Sequence, residues 1–84
     1  MALQAYNAAV AITKSDADNI VPPGTGKRMT DAIYVGGAGV VAAVFPGGEV
    51  VNFTAVAGAV IPIGIVRVNS TNTTATLMVG LFQI

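Results

Sequence analysis

Two short stretches of the sequence contain glycine patterns that bind phosphate in other proteins. The first, GAGVVA at residues 37–42, satisfies the G-x-G-x-x-[G/A] fingerprint of dinucleotide-binding folds and follows an apolar run. In such folds the motif opens a helix that holds the pyrophosphate, and an acidic residue follows about 20 positions later. Here Val40 and Val41 are β-branched, Pro46 would stop a helix after little more than a turn, and residues 55–62 contain no carboxylate. The glycines are therefore predicted to form a hairpin turn between two strands.

The second stretch is PPGTGKRMT at residues 22–30, in which Gly26 and Lys27 resemble the end of a phosphate-binding loop. The pattern G-x-x-x-x-G-K-[S/T] requires glycine at position 21 and serine or threonine at position 28. The sequence has Val21 and Arg28 at these positions. This segment is therefore predicted to be a solvated loop with a basic tip.

Asp16 and Asp18 could supply two oxygen ligands to calcium, but the segment lacks the glycine and the distal glutamate of an EF-hand. A turn stabilised by an Asx or serine side chain, at the end of the first strand, is the preferred interpretation. The chain contains no histidine and no cysteine, so it lacks the commonest general base and the commonest metal ligands. We therefore predict no catalytic residues, no metal and no cofactor.

The composition is unusual for a small domain of 84 residues. Hydrophobic residues make up 54% and charged residues 10% of the chain, whereas charged residues are about 25% of an average domain. The four basic and four acidic residues cancel, which argues against nucleic acid or anionic lipid as a partner. The apolar run at 55–66 is too short to span a bilayer as a helix and contains Pro62 and Gly64. No membrane association is expected.

The charged residues are concentrated near the start of the chain. Six of the eight lie between positions 14 and 31: Lys14, Asp16, Asp18, Lys27, Arg28 and Asp31. Only Glu49 and Arg67 follow in the remaining residues. This distribution predicts a single domain over residues 1–84, with a possible N-terminal arm at 1–7 and a charged, solvated loop at 14–31.

The body of the chain is rich in valine, isoleucine, threonine and phenylalanine and is interrupted by glycine and proline every 8 to 12 residues or so, which is typical of successive strands. Strands are predicted at residues 8–13, 32–36, 39–45, 49–54, 59–69 and 74–83. The predicted fold is all-β, a small β-sandwich or jelly-roll-like barrel of about six strands. No helix longer than two turns is expected. Pro62 cannot donate a ladder hydrogen bond, so the strand at 59–69 should lie at an edge or be bulged there.

The strands at 39–45, 59–69 and 74–83 are apolar on both faces, whereas a small sandwich has one interior. The chain therefore has more apolar surface than one interior can bury, which predicts permanent self-assembly as a closed trimer or pentamer. Seven apolar residues are predicted to form the subunit interface: Ile61, Ile63, Ile65, Val66, Leu77, Val79 and Leu81.

Four segments also match a known pattern in order and spacing: AVAITKSD at 9–16, IYVGGAGVV at 33–41, PGGEVVNF at 46–53 and VAGAVIPIGIVRVNSTNTTAT at 56–76. With them the chain resembles the small spike base or head decoration protein family of tailed bacteriophages and gene transfer agents. The resemblance runs from about Ala9 to Phe82. It departs from the family at Lys14, where proline is expected, and in the turn NSTNTTAT, where glycine is expected among the threonines.

The resemblance implies a structural protein of the virion, made in the bacterial host cytoplasm and attached to the capsid surface. Its partners would be further copies of itself, the major capsid protein and, for a spike base, a fibre protein. Whether such a protein cements the shell or carries a fibre stays open, as do its oligomeric order and its location at a vertex or a local threefold. The alternative function is a β-sandwich module of a phage particle that binds a receptor or glycan.

Overall fold

A computed structural model describes residues 6–23 and 28–84 of the chain. Within these residues there is no helix, and seven strands form two sheets. The strands are β1 (Ala8–Ala11), β2 (Ala32–Gly37), β3 (Gly39–Val44), β4 (Val50–Ala55), β5 (Ala59–Ile61), β6 (Arg67–Val68) and β7 (Thr76–Phe82). The all-β prediction is confirmed, with seven strands in place of about six.

The two sheets pack face to face as a sandwich, and every strand pair is antiparallel. The first sheet has the strand order β1-β7-β2-β5, and the second has the order β4-β3-β6. Alternating residues of both sheets point inward and exclude water, which supplies the main stabilisation of the fold. The buried core consists of Ile33, Val35, Val41, Ala43, Ala55, Ile65, Val68, Ala75 and Met78.

The glycine cluster at 36–39 is a corner of the sandwich and not the predicted hairpin. β2 and β3 are separated only by Ala38, yet they belong to different sheets and do not pair with each other. The backbone at this corner passes close to the segment before β7. A Cβ atom on Gly39 would lie 2.6 Å from the backbone nitrogen of Ala75, and one on Gly37 would collide with the Thr76 hydroxyl. Close packing of backbone therefore accounts for these glycines.

The predicted strand at 59–69 is two strands in two different sheets. β5 ends at Ile61, where the amide of Ile63 donates a hydrogen bond to the Ile61 carbonyl (2.9 Å) and forms a three-residue turn around Pro62. The chain then crosses to the second sheet and pairs there as β6. The expectation that Pro62 limits an edge strand is confirmed, since β5 is the edge of the first sheet.

Thr30 fixes this crossing segment in place. Its hydroxyl donates to the Ile63 carbonyl (2.8 Å) and accepts from the Ile65 amide (3.1 Å), while its own amide donates to the Ile65 carbonyl (3.0 Å). Thr30 is almost completely buried, at 1% exposure. The hydroxyl and the amide of this threonine therefore both have partners, as burial requires.

The described part of the charged segment covers one lateral side of the sandwich. The amides of Ser15 and Ile20 donate to the carbonyls of Val68 and Val66, so residues 15–20 run beside β6. The Ser15 hydroxyl accepts the amides of Ala17 and Asp18 (3.1 and 3.0 Å), which confirms the predicted serine turn. Lys27 and the rest of the loop tip at 24–27 lie outside the described residues.

Ile84 lies beside Asn7. The Asn7 side chain donates to the Ile84 carbonyl (2.7 Å) and accepts the Ile84 amide (2.8 Å). Residues 1–5 of the predicted N-terminal arm lie outside the described residues, and Asn7 is held by these two bonds.

Candidate interaction surface

The outer face of the four-stranded sheet is apolar across all four strands. Between β1 and β7, Ala9 lies opposite Leu81 and Ala11 lies opposite Val79. In β2, Tyr34 lies opposite Val79 of β7 on one side and Val60 of β5 on the other. Opposite residues of antiparallel strands share a face. The register of β2 and β7 pairs Val35 with Met78 and Gly37 with Thr76. Leu77 therefore lies opposite Gly36, between these two pairs. We call this the apolar sheet face: Ala9, Ala11, Tyr34, Val60, Leu77, Val79 and Leu81.

The apolar sheet face contains no charged residue, and much of it is open to solvent. Leu77 is 77% exposed, Val60 51% and Tyr34 37%. The outer face of the second sheet is mixed, because it presents the polar side chains of Asn52, Thr54 and Arg67 beside Val50, which is 51% exposed. The uniformly apolar surface is therefore on the first sheet, and it gains most from contact with an apolar partner.

Leu77 has a left-handed backbone, with φ of 54°. This conformation costs a residue with a Cβ atom about 1–2 kcal/mol, and it is rare for large side chains outside glycine, asparagine and aspartate. Gly36 leaves room for Leu77: a Cβ atom there would lie 2.9 Å from the Leu77 Cβ and 3.4 Å from the Tyr34 ring. The fold thus uses an unfavourable backbone to hold a large apolar side chain in solvent. Such strain is concentrated at functional positions in proteins.

The seven residues predicted to form an interface fall into two groups. Leu77, Val79 and Leu81 lie together along β7 on the apolar sheet face. The other four are elsewhere: Ile61 and Ile63 pack partly against the core, Ile65 is completely buried in it, and Val66 adjoins β6. The expectation for Ile65 is thereby corrected, because a side chain with no exposure cannot contact a second chain. The cause is the crossing at Pro62, which turns residues 63–65 inward.

Four residues of the apolar sheet face were not predicted from the sequence: Ala9, Ala11, Tyr34 and Val60. A signal for two of them was present. Tyr34 lies between the inward-facing Ile33 and Val35, and Val60 precedes Ile61, so alternation alone assigns both to the outer face. Which sheet face stays uncovered depends on the packing of the whole chain.

Asp16, one of the two aspartates considered as calcium ligands, is occupied within the chain. Asp16 binds Thr71 of the turn before β7, through its Oδ1 to the amide (2.9 Å) and its Oδ2 to the hydroxyl (2.7 Å). These hydrogen bonds lower the pKa of the Asp16 carboxyl, with the Thr71 amide as the largest cause. In residues 6–23 and 28–84, no three histidine, cysteine or acidic side chains are grouped so that they could hold a metal ion. The same residues include no helix of the length and hydropathy needed to cross a bilayer.

Comparison with known proteins gives an informative similarity to a solved structure. No protein-family model matches the chain, and no curated protein matches it. A solved structure described as "Capsid of native GTA particle computed with C5 symmetry" contains a similar chain, where GTA denotes a gene transfer agent. The identity is 31%, the TM-score is 0.77, and the alignment covers 92% of this chain and 83% of that one. Since sequence and fold agree over nearly the full length, the chain belongs to a family of structural proteins of gene transfer agent and phage capsids.

Proposed function

We propose that the protein is attached to the capsid surface as a head decoration (cement) protein or a spike base, and that it acts as a homo-oligomer. The observation that carries the proposal is the apolar sheet face, which is uncharged and holds Leu77 in solvent at 77% exposure. The similarity to a chain of a gene transfer agent capsid supports the location on the particle. The role is structural and not catalytic, and residues 1–84 act as a single domain.

The partner that fits the apolar sheet face is a second copy of the chain. The face has no charge that would select an oppositely charged partner, and the burial of Leu77 and Val60 against similar side chains is favourable at about 25 cal/mol per Å². Neighbouring strands are about 4.8 Å apart, and each residue extends a strand by about 3.3 Å, so the four strands give this face an area of roughly 400 Å². Two such surfaces bury roughly 800 Å² together. In the proposed trimer or pentamer, the apolar sheet faces of neighbouring copies meet around the symmetry axis and form the core of the ring.

The major capsid protein is the second proposed partner. A decoration protein and a spike base both bind the capsid, and they differ in how many sites they fill. A cement protein at local threefolds would occur in numbers similar to the capsid protein. A spike base at the vertices would occur in far fewer copies and would also bind a fibre protein.

The test is addition of the purified protein to capsids that were assembled without it. The wild-type protein should sediment with the capsids and saturate at a fixed number of copies, which distinguishes cement from spike base. Leu77→Asn removes the exposed apolar side chain and suits the left-handed backbone, so it should fold normally and bind with lower occupancy because its oligomer is weakened. Val21→Asn is the matched control, since Val21 is also 77% exposed but lies outside the apolar sheet face. If the wild-type protein stays in the supernatant at saturating concentration, the proposed attachment is wrong.

A further inference from the structure

The outer edge of β4 is the least protected strand edge of the sandwich. β4 pairs with β3 over all six of its residues, Val50–Ala55, and no described residue pairs with its other side. A free edge presents a row of backbone donors and acceptors that can accept another strand. Proteins usually block such edges with proline, lysine, a bulge or a covering segment, and β4 has none of these.

The other edges are short or covered. β5 has three residues and is followed by Pro62. β1 has four residues, and β6 is covered by residues 15–20 through the bonds from Ser15 and Ile20. The edge of β6 is thus closed by the charged segment, whereas no described residue bonds to the outer edge of β4. Among the described strands that stand at a sheet edge, β4 is the longest.

The backbone groups that point outward can be assigned. The Phe45 amide donates to the Glu49 carbonyl (2.8 Å), and bonded pairs alternate along an antiparallel ladder, so Val51 and Phe53 bond to β3. The residues that alternate with them have the opposite orientation. The amides and carbonyls of Val50, Asn52 and Thr54 point away from β3, toward the outer edge of β4.

We propose that β4 pairs with β4 of a second copy about a twofold axis, and this deepens the proposed function by adding a second self-contact. The register that uses all three outward residues places Asn52 opposite Asn52 of the other copy and Val50 opposite Thr54. It forms six interchain hydrogen bonds and joins two three-stranded sheets into one of six strands. No residue of Val50–Ala55 is charged, so an identical strand brings no like charges together, and Glu49 falls opposite Ala55.

The apolar sheet face alone is small for a stable interface, which favours a second contact through β4. Roughly 800 Å² from two such faces is below the approximately 1,200–2,000 Å² that stable interfaces bury. The edge of β4 lies on a different side of the molecule, so both contacts can form at once. The sheet face then joins copies within an oligomer, and β4 links each oligomer to its neighbour.

A single introduced cysteine tests the register, because the native chain has none. In the proposed pair the two Asn52 Cα atoms are about 5.5 Å apart, which suits a disulfide. With an added oxidant and the protein at about 10 μM, Asn52→Cys should form linked dimers about a hundredfold faster than Asp18→Cys, because pairing raises the local thiol concentration to about 1 mM. Asp18→Cys is the control, since Asp18 lies in the exposed segment that covers β6. Equal rates for the two variants, at concentrations where the wild-type protein self-associates, would overturn the inference.

A second variant separates this contact from the sheet face. The Asn52 amide points outward, so Asn52→Pro should keep the fold and block edge pairing, whereas Val51→Pro should break the β3–β4 ladder. Adding Leu77→Asn to Asn52→Cys should leave disulfide formation intact. If Asn52→Cys fails to link while Leu77→Asn still lowers the mass of the assembly, the twofold contact is wrong and the proposed function stands.

Discussion

Asp16 and Thr71, 55 positions apart in the sequence, are joined by two hydrogen bonds, with the Asp16 carboxylate accepting from both the amide and the hydroxyl of Thr71. This contact holds the charged segment against the turn that precedes β7. Arg67 is close enough to contribute favourably to the Asp16 charge. The charged segment is therefore part of the folded structure at this point and not simply a solvated loop.

The Asp16 contact predicts a dependence of stability on acid. The pKa of Asp16 is lowered in the folded chain from its ordinary 3.8, mainly by the Thr71 amide. The Asp16 contact therefore contributes fully to the stability of the fold above the pKa that Asp16 has in the unfolded chain. This contribution is lost as the pH falls through the lower pKa that Asp16 has in the folded chain. Asp16→Asn should lower the melting temperature at neutral pH, and the difference from wild type should shrink in strong acid. A difference that is the same at both pH values would contradict the assignment.

Asn72 has φ of 70° in the turn between β6 and β7. Glycine and asparagine tolerate this backbone, and a β-branched residue does not. Asn72→Gly should keep or slightly raise the free energy of unfolding, and Asn72→Val should lower it by about 1–2 kcal/mol. Urea denaturation of both variants checks this. Equal stabilities would mean that the turn relaxes to a negative φ.

The buried hydroxyl of Thr30 gives a stability prediction. Thr30→Val keeps the shape of the side chain and leaves the Ile63 carbonyl and the Ile65 amide without this partner. The free energy of unfolding should fall by about 1–3 kcal/mol. Thr13→Val is the control, because Thr13 is exposed, and it should change stability by less than about 0.5 kcal/mol. Similar losses of stability for the two variants would show that the hydrogen bonds of the Thr30 hydroxyl contribute little.

The basic tip of the charged segment should be neutral for folding. Arg28 is exposed, and Lys27 lies outside the described residues. Replacement of both by alanine should change the free energy of unfolding by less than about 0.5 kcal/mol. A loss above about 2 kcal/mol in chemical denaturation would show that one of them is paired inside the fold.

Part of this structure could be predicted from the sequence, and the limits have physical causes. β-branched residues between glycine and proline turns indicate strands reliably, so the all-β fold and most strand positions follow. The alternation of Ile61, Ile63 and Ile65 continues through the crossing, and so the sequence predicts one strand at 59–69, at an edge or bulged at Pro62, in place of two strands in different sheets. The crossing depends on Thr30, more than 30 positions away, which no local pattern shows.

The candidate surface was predictable only in part for a similar reason. Leu77, Val79 and Leu81 share one face by alternation alone, and the apolar surplus of the composition indicates that some such face is exposed. The positive φ of Leu77 has no sequence signal, because leucine does not favour it. It occurs where the β2–β7 register places Leu77 opposite Gly36, which leaves room for the leucine side chain.

The central claim is that the apolar sheet face drives self-assembly, and light scattering on the purified protein tests it most directly. At micromolar concentration the wild-type protein should have a mass several times the 8.4 kDa of one chain. Leu77→Asn should shift the mass toward one chain while thermal unfolding shows an intact fold, and Val21→Asn should match the wild type. A monodisperse, well-folded wild-type monomer throughout this concentration range would contradict the account.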